Sequence, residues 1–221
     1  MNISIIGLLV LTFFSCGQTS STRHNKQTIT AQKDTCDSPD ANINCCFINL
    51  PTTLNSIMNI DILKETADKL IISGTIFKAD GKTPYPDIIL YAYHTDSKGY
   101  YSKKGDETGV QKWHGRLHGW CKTDKNGHYE IHTIRPALYP DNSMPAHIHA
   151  AIYTDTGQML WITDYVFKDD SLADENYLSS LTNVGGTGVV DIDKNSDSIW
   201  IGKRDIVLKE RFTCLTNSNR L

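Results

Sequence analysis

No run of this chain is apolar for long enough to cross a bilayer as a helix. The longest, Ile3 to Phe14, stops short of the roughly 20 residues that a span requires. Charge of one sign is lacking as well: 22 Lys and Arg face 25 Asp and Glu, a formal net charge of −3. Without a basic footprint or an acidic tail, nucleic acid is excluded as a partner, and a small molecule or a protein surface remains. No internal repeat is present, and 221 residues suit one domain with a sizeable core, flanked by tails.

The N-terminal apolar run reads as the core of a signal peptide, residues 1–16. It ends in Phe14-Ser15-Cys16-Gly17, which resembles a bacterial lipoprotein cleavage box with Cys16 as the lipidated residue. No Lys or Arg precedes the run and Phe13 stands where Leu is usual, so an ordinary secretory signal is the alternative. Export to the periplasm or cell surface is expected, with membrane contact only through a lipid anchor at Cys16. Gly17 to Lys33, rich in Ser, Thr, Gln and Asn without apolar period, reads as a disordered tether. Residues 17–69 are tether and N-terminal extension, ahead of a domain over 70–214. Of the remaining cysteines, Cys36, Cys45, Cys46, Cys121 and Cys214, some are expected to pair in an exported protein. Adjacent Cys45 and Cys46 are not expected to bond each other, and a disulfide staple is favoured over a metal site made of Cys36, Cys45 and Cys46.

From Leu70 onward the pattern is one of short strands and turns. Leu70 to Phe77 is apolar and β-branched, closed by Asp80-Gly81. Ile88 to His94 follows, with Tyr91 and Tyr93 on one face and Ala92 on the other. Asn126-Gly127 signals a hairpin between Trp120-Cys121-Lys122 and His128 to Ile134. Ala146 to Tyr153 turns through Asp155-Thr156-Gly157 into Met159 to Ile162, and Ile199 to Ile201 and Ile206 to Leu208 are late strands. This predicts a mainly β fold, a β-sandwich of two mixed sheets with long loops. One short helix is expected from Ser171 to Leu181, with Asp170 as its cap. The connection from Gly99 to Gly119 is long, polar and Gly-containing. Its Trp113, His114, Arg116 and His118 either line a pocket for an aromatic ring or form a solvated loop.

The most informative segment is Pro145-Ala146-His147-Ile148-His149. Histidines at i and i+2 of a strand project from one face, a ready pair of metal ligands. No Asp or Glu follows His149 until Asp155, so two histidines with an adjacent acid, the pattern of many Fe(II) sites, is not supported. Tyr139 lies eight positions before His147, in Arg135-Pro136-Ala137-Leu138-Tyr139-Pro140, and Tyr101 lies in Lys98-Gly99-Tyr100-Tyr101-Ser102.

With Thr123-Asp124-Lys125-Asn126-Gly127-His128-Tyr129 and Thr133-Ile134-Arg135-Pro136, these motifs resemble, in order, those of the intradiol ring-cleavage dioxygenases, the relatives of protocatechuate 3,4-dioxygenase and catechol 1,2-dioxygenase. The resemblance covers about Ile71 to Asp170. It implies a β-sandwich holding a non-haem Fe(III) ion through two tyrosinates and two histidines: Tyr101, Tyr139, His147 and His149, with Tyr100 as the alternative to Tyr101. It further implies a small aromatic diol and O2 as substrates, with Tyr101 as the displaceable ligand and base. Three positions depart from the family pattern. Met144 stands where an Arg usually precedes Pro-Ala-His-Ile-His, only seven residues separate Tyr139 from His147, and Asp164 aligns where those enzymes place a Gln. Arg116 or His118 is the candidate replacement for the missing cation, and Arg116 is taken as catalytic on that ground. The Gly-x-Ile-x-x-x-Asp-Gly opening also resembles transthyretin-like surface modules, which are binding domains without need of the four ligands.

Overall fold

A computed structural model of the protein describes residues 34–209. The strands are β1 (Ile57–Asn59), β2 (Lys69–Phe77), β3 (Ile89–His94), β4 (His118–Lys122), β5 (His128–Ile134), β6 (His147–Tyr153), β7 (Met159–Phe167), β8 (Val189–Val190), β9 (Ile192–Lys194), β10 (Trp200–Lys203) and β11 (Ile206–Val207). Two short helices, α1 (Gln111–His114) and α2 (Glu175–Ser180), and a 3-10 turn at Ile43–Phe47 complete the set. One sheet runs β1-β5-β2-β10-β9 with β11 continuing beside β2, and the other runs β4-β3-β6-β7-β8. Both are mixed: β1 and β5, β2 and β10, and β7 and β8 pair in parallel. This is the expected sandwich of two mixed sheets. No helix among the described residues is long and apolar enough to cross a membrane.

Alternation places the core. In β2 the buried residues are Leu70, Ile72 and Ile76, with Gly74 between them. A Cβ on Gly74 would lie 1.8 Å from the Arg204 carbonyl oxygen, so glycine lets the link from β10 to β11 run close beside β2. Ala92 on β3 and Ile148, Ala150 and Ile152 on β6 face the same core. The opposite face of the second sheet carries Tyr91, Tyr93, His147 and His149. A smaller cluster of Cys36, Cys45, Cys46, Phe47, Tyr91, Val110 and Ala151 packs there.

Several expectations change. The Asn126-Gly127 turn exists, with Gly127 at φ +71°, and the Asp124 carboxylate accepts the N–H groups of Asn126 and His128. It joins no hairpin, because β4 pairs with β3 while β5 pairs with β2; the turn carries the chain from one sheet to the other. The helix expected at Ser171 to Leu181 is α2, and its cap is Asp174, whose side chain accepts the N–H of Tyr177. Asp170 instead accepts the N–H groups of Ala146 and Leu172, which anchors the start of β6. Ahead of residue 70, Met58 and Ile60 join the core and β1 lies beside β5. Cys36 and Cys45 form a disulfide, and Cys46 and Cys121 are buried thiols. The signal segment, Cys16 and Cys214 lie outside the described residues.

Candidate metal centre

Two loops and one strand bring four side chains together. After β3, Asp96 organises a turn, accepting the N–H groups of Lys98 and Tyr100 through one carboxylate oxygen. Gly99, at φ +84°, presses that turn against the loop after β5: a Cβ there would lie 2.2 Å from the Leu138 carbonyl oxygen. The same loops are joined by the Thr95 hydroxyl donating to the Ala137 carbonyl at 2.6 Å. Tyr101 and Tyr139, one residue or two beyond these contacts, therefore meet, while Tyr100 points away and is 58% exposed. His147 and His149 come up from β6 between them.

The donor atoms form a closed ring. Tyr101 Oη and Tyr139 Oη are hydrogen bonded at 2.7 Å, Tyr139 Oη lies 3.4 Å from His147 Nε2, the two Nε2 atoms are 3.0 Å apart, and His149 Nε2 is 3.0 Å from Tyr101 Oη. Donors bonded to one ion at about 2.0–2.1 Å stand about 2.9–3.4 Å from each other; three of the four edges match this and the hydrogen-bonded tyrosine pair is slightly closer, so the set fits a single metal ion. Both histidines turn Nε2 inward with Nδ1 facing an acceptor behind: that of His147 donates to the Pro145 carbonyl at 2.7 Å, and that of His149 lies 3.1 Å from an Asp164 carboxylate oxygen. Burial lowers the His147 pKa below its usual value, which keeps its lone pair available. Burial, with the Tyr139 hydrogen bond, raises that of Tyr101. Asp164 belongs to β7 rather than to the residues just after His149, which is why no acid was found beside the His pair in sequence. Its carboxylate, His147 and His149 also offer donor atoms within 4.8 Å of one another. Asp164 nonetheless addresses the outward nitrogen of His149, so it stands behind the ring of four.

Around the ring lies an aromatic wall. Tyr93 stacks on His149 at 4.7 Å between centroids and on His114 of α1 at 3.6 Å, with exposed Trp161 edge-on to both Tyr93 and His114. His114 is buried behind Tyr93, its pKa lowered to about 3 by burial. Tyr93 was missed as a site residue: the sequence places it on one strand face with Tyr91, and only the ladder sets it opposite His149.

Arg116 is not brought into the ring. Its guanidinium is buried, paired with Glu65 and donating to the Asp61 carbonyl at 3.1 Å. Glu65 lies in the extension, where no sequence pattern marks it as a partner, so the expected free cation is already neutralised. His118 is likewise engaged, through Nδ1 to the Gly115 carbonyl at 2.7 Å.

Two phenols and two imidazoles on the outer face of a β-sandwich define a candidate mononuclear centre of oxygen and nitrogen donors. A family model described as Dioxygenase matches residues 46–198, and the chain belongs to that family, among the intradiol dioxygenases. It is 31% identical to catechol 1,2-dioxygenase 1 of Acinetobacter lwoffii over 138 residues, 55% of this chain and 43% of that protein. It is 27% identical to the protocatechuate 3,4-dioxygenase beta chain of Burkholderia cepacia over 126 residues, 54% and 52% respectively. The chain spans about half or less of the length of such relatives. In fold it is similar to the dioxygenase domain of a dioxygenase carbohydrate-binding protein fusion from Streptomyces sp. SirexAA-E, with TM-score 0.54 and 21% identity, covering 73% of this chain and 93% of that one.

Proposed function

We propose that this chain is a non-haem Fe(III) dioxygenase that inserts both atoms of O2 into a catechol-type aromatic diol, opening the ring between the hydroxyl-bearing carbons to a muconate-type product. The closed ring of Tyr101, Tyr139, His147 and His149 carries the reading. Phenolate oxygens are hard and anionic, so two of them favour the ferric over the ferrous ion. Ferric iron supplies the activation of a chelating catecholate toward O2, chemistry for which side chains alone have no equivalent. The residues do the rest. His147 and His149 hold Nε2 inward, Tyr139 stays with them, and Tyr101 gives way to the diol and accepts one of its hydroxyl protons. Trp161, exposed and edge-on to Tyr93, offers a planar ring an aromatic surface. A transthyretin-like binding module has no use for such a set.

The surroundings also favour an uncharged diol. Asp164 is among the charges that raise the pKa values of Tyr93, Tyr101 and Tyr177, after the effect of burial. Arg116 is neutralised by Glu65, and Met144 brings no charge. A substrate carboxylate near Asp164 meets repulsion, and about 1.4 kcal/mol of it means a tenfold preference for catechol over protocatechuate. The test is iron content and visible absorption of purified protein, then oxygen uptake with catechol, protocatechuate and hydroxyquinol. About one ferric ion per chain, a broad visible band and the preference just given are expected. Zinc in place of iron, or colourless protein after ferric loading, overturns the reading.

We further propose export with a lipid anchor at Cys16. The Cys36–Cys45 disulfide supports an oxidising compartment. Cys16→Ser is expected to leave the membrane fraction or remain uncleaved; an unchanged distribution with a mature N-terminus beyond Cys16 points to ordinary secretion instead.

A further inference from the structure

We propose that Asp164 is a positioning residue for this centre: its carboxylate takes the Nδ1–H of His149, fixes the tautomer that leaves Nε2 free, and places a full negative charge behind that one ligand. The part concerning the metal rests on the function proposed above; the part concerning the tautomer does not.

The placement has a cause in the backbone. Along β6 and β7 the ladder pairs Ile148 with Tyr165 and Ala150 with Ile162, so His149 faces two residues, Thr163 and Asp164. Such an irregularity puts an extra residue in one strand and re-aims its side chains. In unbroken alternation Asp164 would share the face of core residue Ile162. The extra residue turns it to the histidine face while Tyr165 and Phe167 take over the core positions. The result is a contact of 3.1 Å between side chains only 21% and 23% exposed, where water competes weakly for either partner.

The two histidines are therefore unequal. His147 is backed by the Pro145 carbonyl, a dipole, whereas His149 is backed by a carboxylate, an ion. A charged acceptor on Nδ1 makes the imidazole a stronger electron donor through Nε2. It also lies on the His149 side of the ring, next to the shared edge with Tyr101, the ligand assigned to leave. The other nearby acid, Asp170, is engaged with the N–H groups of Ala146 and Leu172 and does not duplicate the role.

The test uses the full chain with Asp164→Asn and Asp164→Ala, each compared with the parent. Before iron loading, nitrogen NMR of the imidazoles reports the tautomers. In the parent, both histidines are expected as the Nδ1–H form. In Asp164→Ala, His149 is expected to lose that preference while His147 keeps it. After ferric loading, Asp164→Ala is expected to bind iron about 10–100-fold more weakly. Its phenolate-to-iron band is expected at longer wavelength, because a less neutralised ion accepts charge more easily. The isosteric Asp164→Asn, whose amide oxygen still accepts Nδ1–H, is expected to restore the tautomer but not the band position. A His149 tautomer that ignores Asp164→Ala overturns the proposal, and also fits Asp164 acting as a direct ligand. A tautomer that responds in protein that takes up no iron sinks the function and leaves the positioning contact standing.

Discussion

Glu65 and Arg116 form an ion pair whose side chains are 4% and 5% exposed, so neither charge has water to fall back on. The pair links the extension before β2 to the loop that carries Tyr101, where the Arg116 N–H also donates to the Ser102 carbonyl at 2.8 Å. Removing one member strands the other. Arg116→Met alone should cost about 3–5 kcal/mol of stability, whereas the double variant with Glu65→Leu should regain most of it. Urea unfolding of the two single variants and the double variant measures this. If Arg116→Met keeps its stability and loses turnover alone, Arg116 reaches substrate after all and its pairing with Glu65 is not maintained in solution.

At the scale of elements, local chemistry and long-range pairing differ in how far sequence reveals them. Strands β2 and β5 were legible because alternation writes burial directly into residue order, and β3 and β6, buried on both faces, because their runs are apolar and aromatic. So were the four ring members, with Tyr100 left beside Tyr101 as an alternative, through motifs short enough to sit on one strand or turn. The partner of β5 was not legible: Asn126-Gly127 fixes a reversal of direction, and which sheet receives the chain is decided by pairing with β2. The bulge in β7 ended the predicted strand at Ile162 because Thr163-Asp164 break the alternation there, although the strand continues to Phe167. Helix α1 was hidden for a different reason. Four residues give too little period to see, and it is held from outside, by Asp37 accepting from Lys112 Nζ and Trp113 Nε1. Asp37 is fixed in turn beside the Cys36–Cys45 disulfide, so a cystine more than sixty positions away sets the helix that stacks His114 on the wall of the site.

Taken whole, the molecule keeps its main core between the sheets and its chemistry on the outer face of one of them, and histidines serve both. His94 is buried, donates Nδ1–H to the Thr95 carbonyl at 2.7 Å and accepts from the Thr133 hydroxyl at 2.7 Å, and burial lowers its pKa to about 4. Burial lowers His114 to about 3, and lowers His118 as well. In the unfolded chain these imidazoles take up protons near pH 6.5. Between that value and about pH 4 the unfolded state binds more protons than the folded one, so stability rises with pH across this window. It should be complete above about pH 6.5 and drain away as pH falls to about 4, His94 alone contributing up to roughly 3 kcal/mol. Carboxylates held low, such as Asp80 at about 2 through its bonds to Thr83 and Lys82, act at more acid pH, where they add a second loss as they protonate. The measurement is the urea midpoint at several pH values between about 7 and 4, for the parent and for His94→Gln, which retains a donor and an acceptor but does not titrate. A steep decline in the parent and a shallower one in His94→Gln is expected; a parent midpoint flat down to about pH 5 means that these histidines reach solvent and charge without unfolding.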